Sequence, residues 1–264
     1  LLRMNANIKT SDGTPPVYIN PVSSLKCVDH NIEIASAQIK SSIMLAGLYG
    51  DNTFKIVTPN SRNHTEIMLK EFGCNISIDS DSIKITPGKL ITPNFIEIPG
   101  DISSAAFFIV GSIISKNSRV KIENVGLNPL RTGLIKILEM MGANIQISNV
   151  RTINGEIIGD IYTESSLLNG IEIPKELISS SIDELPLIVL AASQANGKTS
   201  IRNAEELRVK ESDRILSMIK MMDKFRISTD EFPDGMNIYG GLIKGARVNS
   251  YGDHRIAMTA IMAS

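Results

Sequence analysis

Charged residues suited to binding a phosphorylated substrate are concentrated between Arg208 and Arg214. This short segment contains three cations and two carboxylates. If a helix begins near Lys210, then Lys210 and Arg214 lie one turn apart on the same face, with Glu211 beside them. Two cations at this spacing repel each other unless an anion lies between them, so the pattern suits a phosphate or carboxylate site. A solvated surface turn with local salt bridges is the alternative interpretation.

Two further motifs place acid–base chemistry at the start of an apolar segment. Asp183 opens the otherwise apolar segment Glu184 to Ala192, and a carboxylate in that position is a candidate general base. Capping of the helix and stabilisation of its dipole explain Asp183 equally well. Asp253, His254 and Arg255 combine a helix cap, a candidate proton carrier and a cation. The alternative for His254 is a buried imidazole that pairs with Asp253.

A third group of candidate residues would bind an anion near the start of the chain. Ser36, Ala37 and Gln38 open an apolar segment, and the first N–H groups of a helix bind anions without help from side chains. Arg62 lies in a loop just ahead of a second helix, which Asn63 or His64 could cap, and arginine matches the geometry of a phosphate group. Simple capping by Ser36 and a solvated loop position for Arg62 are the alternatives.

The composition argues against several other classes of function. Lys and Arg number 27 and Asp and Glu number 28, a net charge of −1 without a block of like charge, which argues against binding to nucleic acid or to an anionic membrane. Cys27 and Cys74 lie 47 residues apart and belong to no CxxC motif. They therefore predict two reduced thiols in a cytoplasmic protein, not a zinc site or a disulfide. The apolar runs are shorter than the roughly 18 residues that a membrane-spanning helix needs.

Two markers recur along the chain. The first is a small or acidic polar opening followed by an unbroken apolar stretch, and its copies begin 67, 80 and 70 residues apart. The second is a helix end that turns into a strand, with spacings of 68, 69 and 81 residues. The copies of the first marker are 36–48, 103–114, 183–195 and 253–263, and those of the second are 4–8, 72–76, 141–145 and 222–224. Because both spacings stretch by a similar amount in the same interval, they indicate one repeating unit of about 70 residues.

The periodicity within a unit predicts the order α-β-loop-α-β-β, or βαβαββ when counted from the preceding strand. The second helix of each unit is predicted at 65–72, 131–141 and 212–222. Such units predict an α/β (α+β) protein with two pseudo-symmetric lobes. Residues 1–99 would form part of the first lobe and residues 100–264 most of the second, with the crossing point at Pro99–Gly100. Because the chain begins and ends inside helix-like segments, we expect an internal fragment that lacks both termini.

Six ordered motifs, spread over the whole chain, resemble the 5-enolpyruvylshikimate-3-phosphate synthase family. Each motif alone is weak evidence, but the six together are specific. They are Ser36-Ala37-Gln38-Ile39-Lys40, Arg62-Asn63-His64-Thr65-Glu66, Gly100-Asp101-Ile102-Ser103-Ser104-Ala105, Leu127-Asn128-Pro129-Leu130-Arg131-Thr132-Gly133, Arg208 to Arg214, and Asp253-His254-Arg255-Ile256-Ala257-Met258.

The resemblance implies the enolpyruvate transferase fold, incomplete here, with three βαβαββ units in each complete lobe. It implies transfer of the enolpyruvyl group of phosphoenolpyruvate to the 5-hydroxyl of shikimate 3-phosphate, with release of phosphate, in chorismate and aromatic amino-acid biosynthesis. Residues 1–99 would then form the shikimate-3-phosphate side and residues 100–264 the phosphoenolpyruvate side. Both partners are small molecules, no metal or organic cofactor is implied, and we expect a monomer at full length.

The resemblance also implies a role for each candidate residue. The family's shikimate-3-phosphate contacts correspond to Ser36, Ala37, Gln38, Arg62, Asp183 and Lys210. Its phosphoenolpyruvate contacts correspond to Gln38, Arg214 and Arg255. Asp183 would be the base at the 5-hydroxyl, Glu211 would take part in proton transfer at C3, and His254 is a third catalytic candidate.

Two other functions remain as alternatives. The UDP-N-acetylglucosamine enolpyruvyl transferases share the fold and the phosphoenolpyruvate chemistry, but they lack the pattern of residues 208–214 as it stands here. An inactive phosphate-binding fragment is the second alternative, and the intact set of candidate charged residues argues against it. We expect the fragment by itself to be inactive, because the family's contacts at the two ends of the chain are missing.

Overall fold

The polypeptide divides close to residue 98 into two units, each with its own apolar core. The computed structural model describes residues 1–264. Unit 1 consists of residues 1–97 and 153–156, and unit 2 consists of residues 98–152 and 157–264. The sequence-predicted boundary lies between residues 99 and 100, and that prediction assigned 153–156 to the second lobe.

Unit 1 is built on a four-stranded sheet. Its elements are β1 (Asn7–Ser11), β2 (Thr14–Asn20), β3 (His30–Asn31), α1 (Ala37–Gly47), β4 (Phe54–Val57), α2 (His64–Glu71), β5 (Asn75–Ile78) and β6 (Ser82–Thr86). The strand order in the sheet is β3-β4-β6-β5, in which β3 is parallel to β4 and the other neighbours are antiparallel. Strands β1 and β2 pair separately. From α1 onwards the order helix, strand, helix, strand, strand confirms the predicted repeat.

Unit 2 contains two three-stranded sheets. Its elements are α3 (Ile102–Ile114), β7 (Arg119–Gly126), α4 (Gly133–Met140), β8 (Asn144–Ile153), β9 (Glu156–Glu164), α5 (Lys175–Ser181), α6 (Leu185–Ser193), β10 (Lys198–Ile201), α7 (Arg214–Lys224), β11 (Thr229–Phe232), β12 (Gly235–Tyr239) and α8 (His254–Met262). The strand orders are β7-β9-β8 and β10-β12-β11. The predicted order therefore occurs twice more. The openings at residues 103 and 183 are 80 residues apart, the longest of the three spacings. The long strands β8 and β9 and the additional helix α5 account for this extra length.

Helices α3 and α6 form the apolar centre of unit 2. All nine residues of α6 are buried, and ten of the 13 residues of α3 are buried. A helix that is apolar around its whole circumference must be enclosed by other elements. Charged groups are therefore excluded from the sides of these two helices and lie at their starts, as Asp101 does where it caps α3. None of the helices combines the length and the apolar character needed to cross a membrane.

The start of α7 corrects one sequence prediction. The helix begins at Arg214 because the Asp213 side chain accepts a hydrogen bond from the Leu216 N–H at 3.0 Å and caps it. Lys210 lies before the helix in extended backbone, after a short 3-10 helix at Glu205–Val209. Lys210 and Arg214 therefore do not share one helix face.

Gly240→Ala tests how closely two backbone segments of unit 2 approach each other. A Cβ atom on Gly240 would lie 1.6 Å from the carbonyl oxygen of Ala195, so the backbone itself would have to move. We expect the free energy of unfolding in urea to fall by about 1–3 kcal/mol, the cost of overpacking. Gly245→Ala is the matched control, because nothing lies within 4 Å of its Cβ position. Equal losses in the two variants would contradict this explanation.

Candidate active site

Arg214 is a fully buried cation at the start of α7. Its side chain is 1% exposed, and its Nε donates a hydrogen bond to Asp253 Oδ2 at 2.8 Å. Its Nη2 lies 2.5 Å from Glu211 Oε2, and Glu211 itself is half exposed. A buried charge requires pairing of this kind, because removal from water costs several kcal/mol per ion. The surface-turn interpretation of this segment is therefore wrong for Arg214.

Asp253 connects the start of α8 with Arg214. Its carboxylate is fully buried and accepts hydrogen bonds from Arg214, from Ser212 Oγ at 3.1 Å and from the Arg255 N–H at 2.9 Å. Burial acts to raise the pKa of Asp253, but the hydrogen bond and the charge of Arg214, with the other donors, hold the pKa below its ordinary value. One carboxylate thus positions both predicted phosphoenolpyruvate cations, Arg214 through its side chain and Arg255 through its main chain.

Asp183 lies between the guanidinium groups of the same two arginines. Its Oδ1 is 3.7 Å from Arg214 Nη1, and its Oδ2 is 3.7 Å from Arg255 Nη2. Arg255 Nη1 also donates a hydrogen bond to the Asp183 main-chain carbonyl at 2.9 Å. Arg214 Nη1 is buried without a hydrogen-bond partner. The arrangement combines a carboxylate able to accept a proton with two cations able to bind an anion.

A buried carboxyl group that the sequence analysis did not select lies beside this cluster. Glu184 is 4% exposed, accepts a hydrogen bond from Ser103 Oγ at 2.5 Å, and lies 3.5 Å from Arg255 Nη1. Ser103 also accepts a hydrogen bond from Arg131 Nη2 at 2.8 Å. Glu184 could have been selected from the sequence, because it is a charged residue next to Asp183 at the opening of an apolar helix.

The structure overturns two of the alternative interpretations in unit 2. Asp183 does not cap α6, because the helix begins at Leu185 and its capping position belongs to Glu184. His254 is neither buried nor paired with Asp253: it is exposed, and the donors described above occupy that carboxylate. A catalytic role for His254 stays a prediction.

Lys210 lies outside the cluster formed by Asp183, Glu211, Arg214 and Arg255. Its ammonium group pairs with Glu206, and the two side chains are 22% and 55% exposed. An exposed pair of this kind contributes at most about 1 kcal/mol. The structure therefore brings four of the predicted residues of unit 2 together and leaves Lys210 and His254 apart from them.

In unit 1, Ser36 caps α1 as the simpler interpretation predicted. Its Oγ accepts a hydrogen bond from the Ile39 N–H at 3.3 Å, while Ala37 is half-buried and Gln38 is exposed. This geometry is compatible with anion binding at the helix start, because the cap satisfies only one of the unpaired N–H groups.

The loop that carries Arg62 is fixed to α1 by a buried ion pair. Lys40 Nζ lies 2.5 Å from Glu66 Oε1, and the two side chains are 3% and 2% exposed. Lys40 also donates a hydrogen bond to the Ser61 carbonyl, next to Arg62, at 3.3 Å. Arg62 is half-buried and has interaction partners, so it is not a freely solvated loop residue. The buried pair thereby fixes the backbone that presents Arg62.

His64 does not cap the helix that follows. It is the first residue of α2, the capping position belongs to Asn63, and no side chain accepts the first N–H groups. The imidazole Nδ1 of His64 instead lies 2.5 Å from Glu156 Oε1. Elsewhere, Cys27 and Cys74 are free thiols. No group of three or more His, Cys, Asp or Glu side chains is arranged to hold a metal ion.

The sequence profile of the EPSP synthase (3-phosphoshikimate 1-carboxyvinyltransferase) family matches residues 1–264. The chain belongs to this family. It is 44% identical over 270 residues to the 3-phosphoshikimate 1-carboxyvinyltransferase of Bacillus cytotoxicus, covering 100% of this chain and 63% of that protein. It is 45% identical over 265 residues to the enzyme of that name from Legionella pneumophila strain Lens, covering 100% of this chain and 61% of that protein.

Solved structures show the same fold. The EPSP synthase from Acinetobacter baumannii superposes with a TM-score of 0.89 at 41% identity, over 99% of this chain and 62% of that one. The enolpyruvyl transferase NikO from Streptomyces tendae shares the fold alone, with a TM-score of 0.73 at 15% identity over 99% of this chain and 62% of that one. The chain therefore spans about 60% of the length of the curated EPSP synthases that it matches.

Asp253→Asn should destabilise unit 2 and change how its stability depends on pH. Asp253→Asn removes the only fully buried carboxylate that pairs with Arg214 and leaves it with half-exposed Glu211 and, at 3.7 Å, Asp183. Breaking a buried ion pair costs about 3–5 kcal/mol, and we expect a loss of up to about that size in the free energy of unfolding at neutral pH. The folded-state pKa of Asp253 lies below its ordinary value of 3.8, so its contribution is present above that value and is lost as the pH falls through the folded-state pKa. Urea unfolding at a series of pH values measures both effects.

Asp223→Asn is the matched control for this measurement, because Asp223 is an exposed residue of the same helix, α7. We expect its stability within about 0.5 kcal/mol of the unmodified chain. If the two variants have the same stability and the same acid dependence, then Asp253 does not hold Arg214 in the way described.

Proposed function

We propose that this chain supplies the larger part of the active site of a 3-phosphoshikimate 1-carboxyvinyltransferase. The enzyme transfers the enolpyruvyl group of phosphoenolpyruvate to the 5-hydroxyl of shikimate 3-phosphate and releases phosphate, in chorismate and aromatic amino-acid biosynthesis. The observation that carries the proposal is the position of Asp183 between Arg214 and Arg255. Family membership and the names of the relatives support it.

The cations of unit 2 suit the charge of phosphoenolpyruvate. Arg214 Nη1 has no hydrogen-bond partner although it is buried, so an anionic oxygen would supply the bond that it lacks. The Arg255 guanidinium group donates a hydrogen bond to the Asp183 main-chain carbonyl at 2.9 Å. Its distances to the Glu184 and Asp183 carboxylates are longer, 3.5 Å and 3.7 Å. Fixed cations of this kind stabilise the developing charge of a phosphorylated adduct without reorganisation.

The proposed reaction has an addition step and an elimination step. Asp183 accepts the proton of the 5-hydroxyl as that oxygen forms a bond to C2 of phosphoenolpyruvate, while C3 gains a proton. The tetrahedral adduct then loses a proton from C3 and expels phosphate, which restores the double bond. Glu211 lies beside Arg214 and is half exposed, so it is placed to exchange protons with solvent during the C3 steps. His254 is a further candidate for the same proton exchange.

Six residues are proposed to contact shikimate 3-phosphate. Ser36, Ala37, Gln38 and Arg62 belong to unit 1, while Asp183 and Lys210 belong to unit 2. Gln38 would also contact phosphoenolpyruvate. Lys210 must leave Glu206 to bind the substrate, and the free-energy cost of that exchange is small because Glu206 is exposed and Lys210 is partly exposed. We further propose a monomeric, cytoplasmic enzyme with small-molecule substrates and without a cofactor.

Calorimetric titration with shikimate 3-phosphate tests this assignment directly. We expect saturable binding that Arg62→Ala weakens about tenfold or more, because a hydrogen bond to a charged group contributes about 1.5–3 kcal/mol. Lys210→Ala should weaken it as well. Lys84→Ala is the control, since Lys84 is exposed on β6 and has no assigned role. Binding of UDP-N-acetylglucosamine in place of shikimate 3-phosphate would favour the alternative transferase, and binding of neither would contradict the proposed function for this chain.

Asp183→Asn separates binding from catalysis. In a full-length enzyme that contains residues 1–264, we expect turnover to fall about a hundredfold or more, the contribution of a positioned base. Binding of shikimate 3-phosphate should stay within about tenfold, because the amide retains a polar group at the same place. Steady-state kinetics and calorimetry measure the two quantities, with Asp223→Asn as the control. Unchanged turnover would remove Asp183 from the role of base.

A further inference from the structure

Glu184 is a buried carboxyl group for which the proposed reaction has no use. It occupies the capping position of α6, yet its side chain caps nothing there. Instead, its Oε1 accepts a hydrogen bond from Ser103 and lies 3.5 Å from Arg255 Nη1. Burial of a carboxyl group costs free energy unless its contacts compensate for the loss of water. The role of Glu184 can therefore be inferred from the two groups that it contacts, Ser103 and Arg255.

The contact with Ser103 connects Glu184 to the start of α3. The single hydroxyl hydrogen of Ser103 is donated to Glu184, so Ser103 Oγ accepts the hydrogen bond from Arg131 Nη2. Arg131 Nη2 also donates a hydrogen bond to Asp101 Oδ1 at 2.9 Å. The orientation of the Glu184 carboxyl group is thus fixed by α3 and Arg131, independently of Arg255.

The other contact of Glu184 is with Arg255. Its Nη1 donates a hydrogen bond to the Asp183 main-chain carbonyl and faces Glu184, while its Nη2 faces the Asp183 carboxylate. Two neighbouring carboxyl groups therefore compete for one guanidinium group. Without the charge of Glu184, Nη1 would keep only its hydrogen bond to the Asp183 main-chain carbonyl, and the Asp183 carboxylate would be the one remaining anion of the two to attract the guanidinium group. Arg255 could then close onto the Asp183 carboxylate. That movement would pair the predicted base and withdraw the cation from the substrate anion.

We propose that Glu184 is a positioning residue for Arg255, anchored by Ser103, which keeps this cation from closing onto Asp183 and leaves it turned toward the anionic groups of phosphoenolpyruvate. The inference rests on the proposed function, since it concerns the same site. It adds a residue that none of the six family motifs contains, because Glu184 acts through Arg255 and not on the reacting atoms.

The electrostatics of Glu184 support this role. Burial and the neighbouring Asp183 raise the pKa of Glu184 above its ordinary value of 4.5, while the Ser103 hydrogen bond and the charges of Arg255 and Arg131 oppose that shift. These are the polar and charged groups that face Glu184. Protonation of Glu184 removes the charge that attracts Arg255, so the surroundings of the guanidinium group should change as Glu184 titrates.

The positioning role can be tested without substrate by nuclear magnetic resonance of the whole chain. The side-chain carboxyl carbon of Glu184 and the guanidinium nitrogens of Arg255 are followed over a pH series. We expect both signals to change with a common midpoint above 4.5. Glu184→Gln should abolish the change at Arg255, while Glu176→Gln, on the exposed face of α5, should preserve it. Separate midpoints in the unmodified chain, or an unaltered Arg255 titration in Glu184→Gln, would overturn the proposal.

Titration calorimetry with phosphoenolpyruvate tests whether Glu184 affects binding of this substrate. We expect Glu184→Gln to weaken binding of phosphoenolpyruvate about tenfold, the effect of losing one hydrogen bond between Arg255 and the substrate anion. Binding of shikimate 3-phosphate should be unchanged. Equal losses for both ligands would indicate a general structural effect and overturn the specific role. If the unmodified chain binds no phosphoenolpyruvate, the assignment of this anion to the site fails, while the resonance experiment still decides whether Glu184 positions Arg255.

Discussion

The buried ion pair between Arg214 and Asp253 determines where the other charged groups of unit 2 can lie. Both side chains are almost completely removed from water, so each requires the other. Because Asp253 also caps α8, the same carboxylate sets the position of Arg255. A buried pair often contributes no more stability than apolar residues of the same volume. Here the pair fixes the orientation of Arg214. Its Nη1 is directed toward Asp183 and has no hydrogen-bond partner.

The repeat explains why these charges meet. Helix α6 is buried along its whole length and α3 over ten of its 13 residues, and the charged groups lie at their starts. Asp101 and Ser103 lie at the start of α3, and Asp183 and Glu184 lie just before α6. Contacts among these residues and the arginines at the starts of α7 and α8 show that the four helix starts converge. The N-terminal end of a helix carries partial positive charge, which stabilises the carboxylates of Asp101, Asp213 and Asp253 that cap α3, α7 and α8.

In unit 1, a buried ion pair between other residues also fixes the backbone near candidate binding residues. The buried pair of Lys40 and Glu66 joins α1 to α2, and a hydrogen bond between Ser41 and Thr65 hydroxyls at 2.7 Å lies beside it. Lys40 also holds the main chain next to Arg62. In both units, buried charges fix the backbone near a predicted anion site.

The sequence by itself determined the repeat, the order of helices and strands within it, and the helix caps at Ser36 and Asp253. These features depend on local spacing, since apolar periodicity and capping involve residues within one or two turns of each other. Motif spacing also selected Asp183, Glu211, Arg214 and Arg255, which the structure brings together. Only the tertiary structure decided which partner each charge takes. Arg214 pairs with a residue 39 positions away, and Ser103 pairs with Glu184, 81 positions away. No local pattern encodes such pairings, because they depend on how separate helices pack. The burial of Glu184 and the exposure of His254 depend on the same packing.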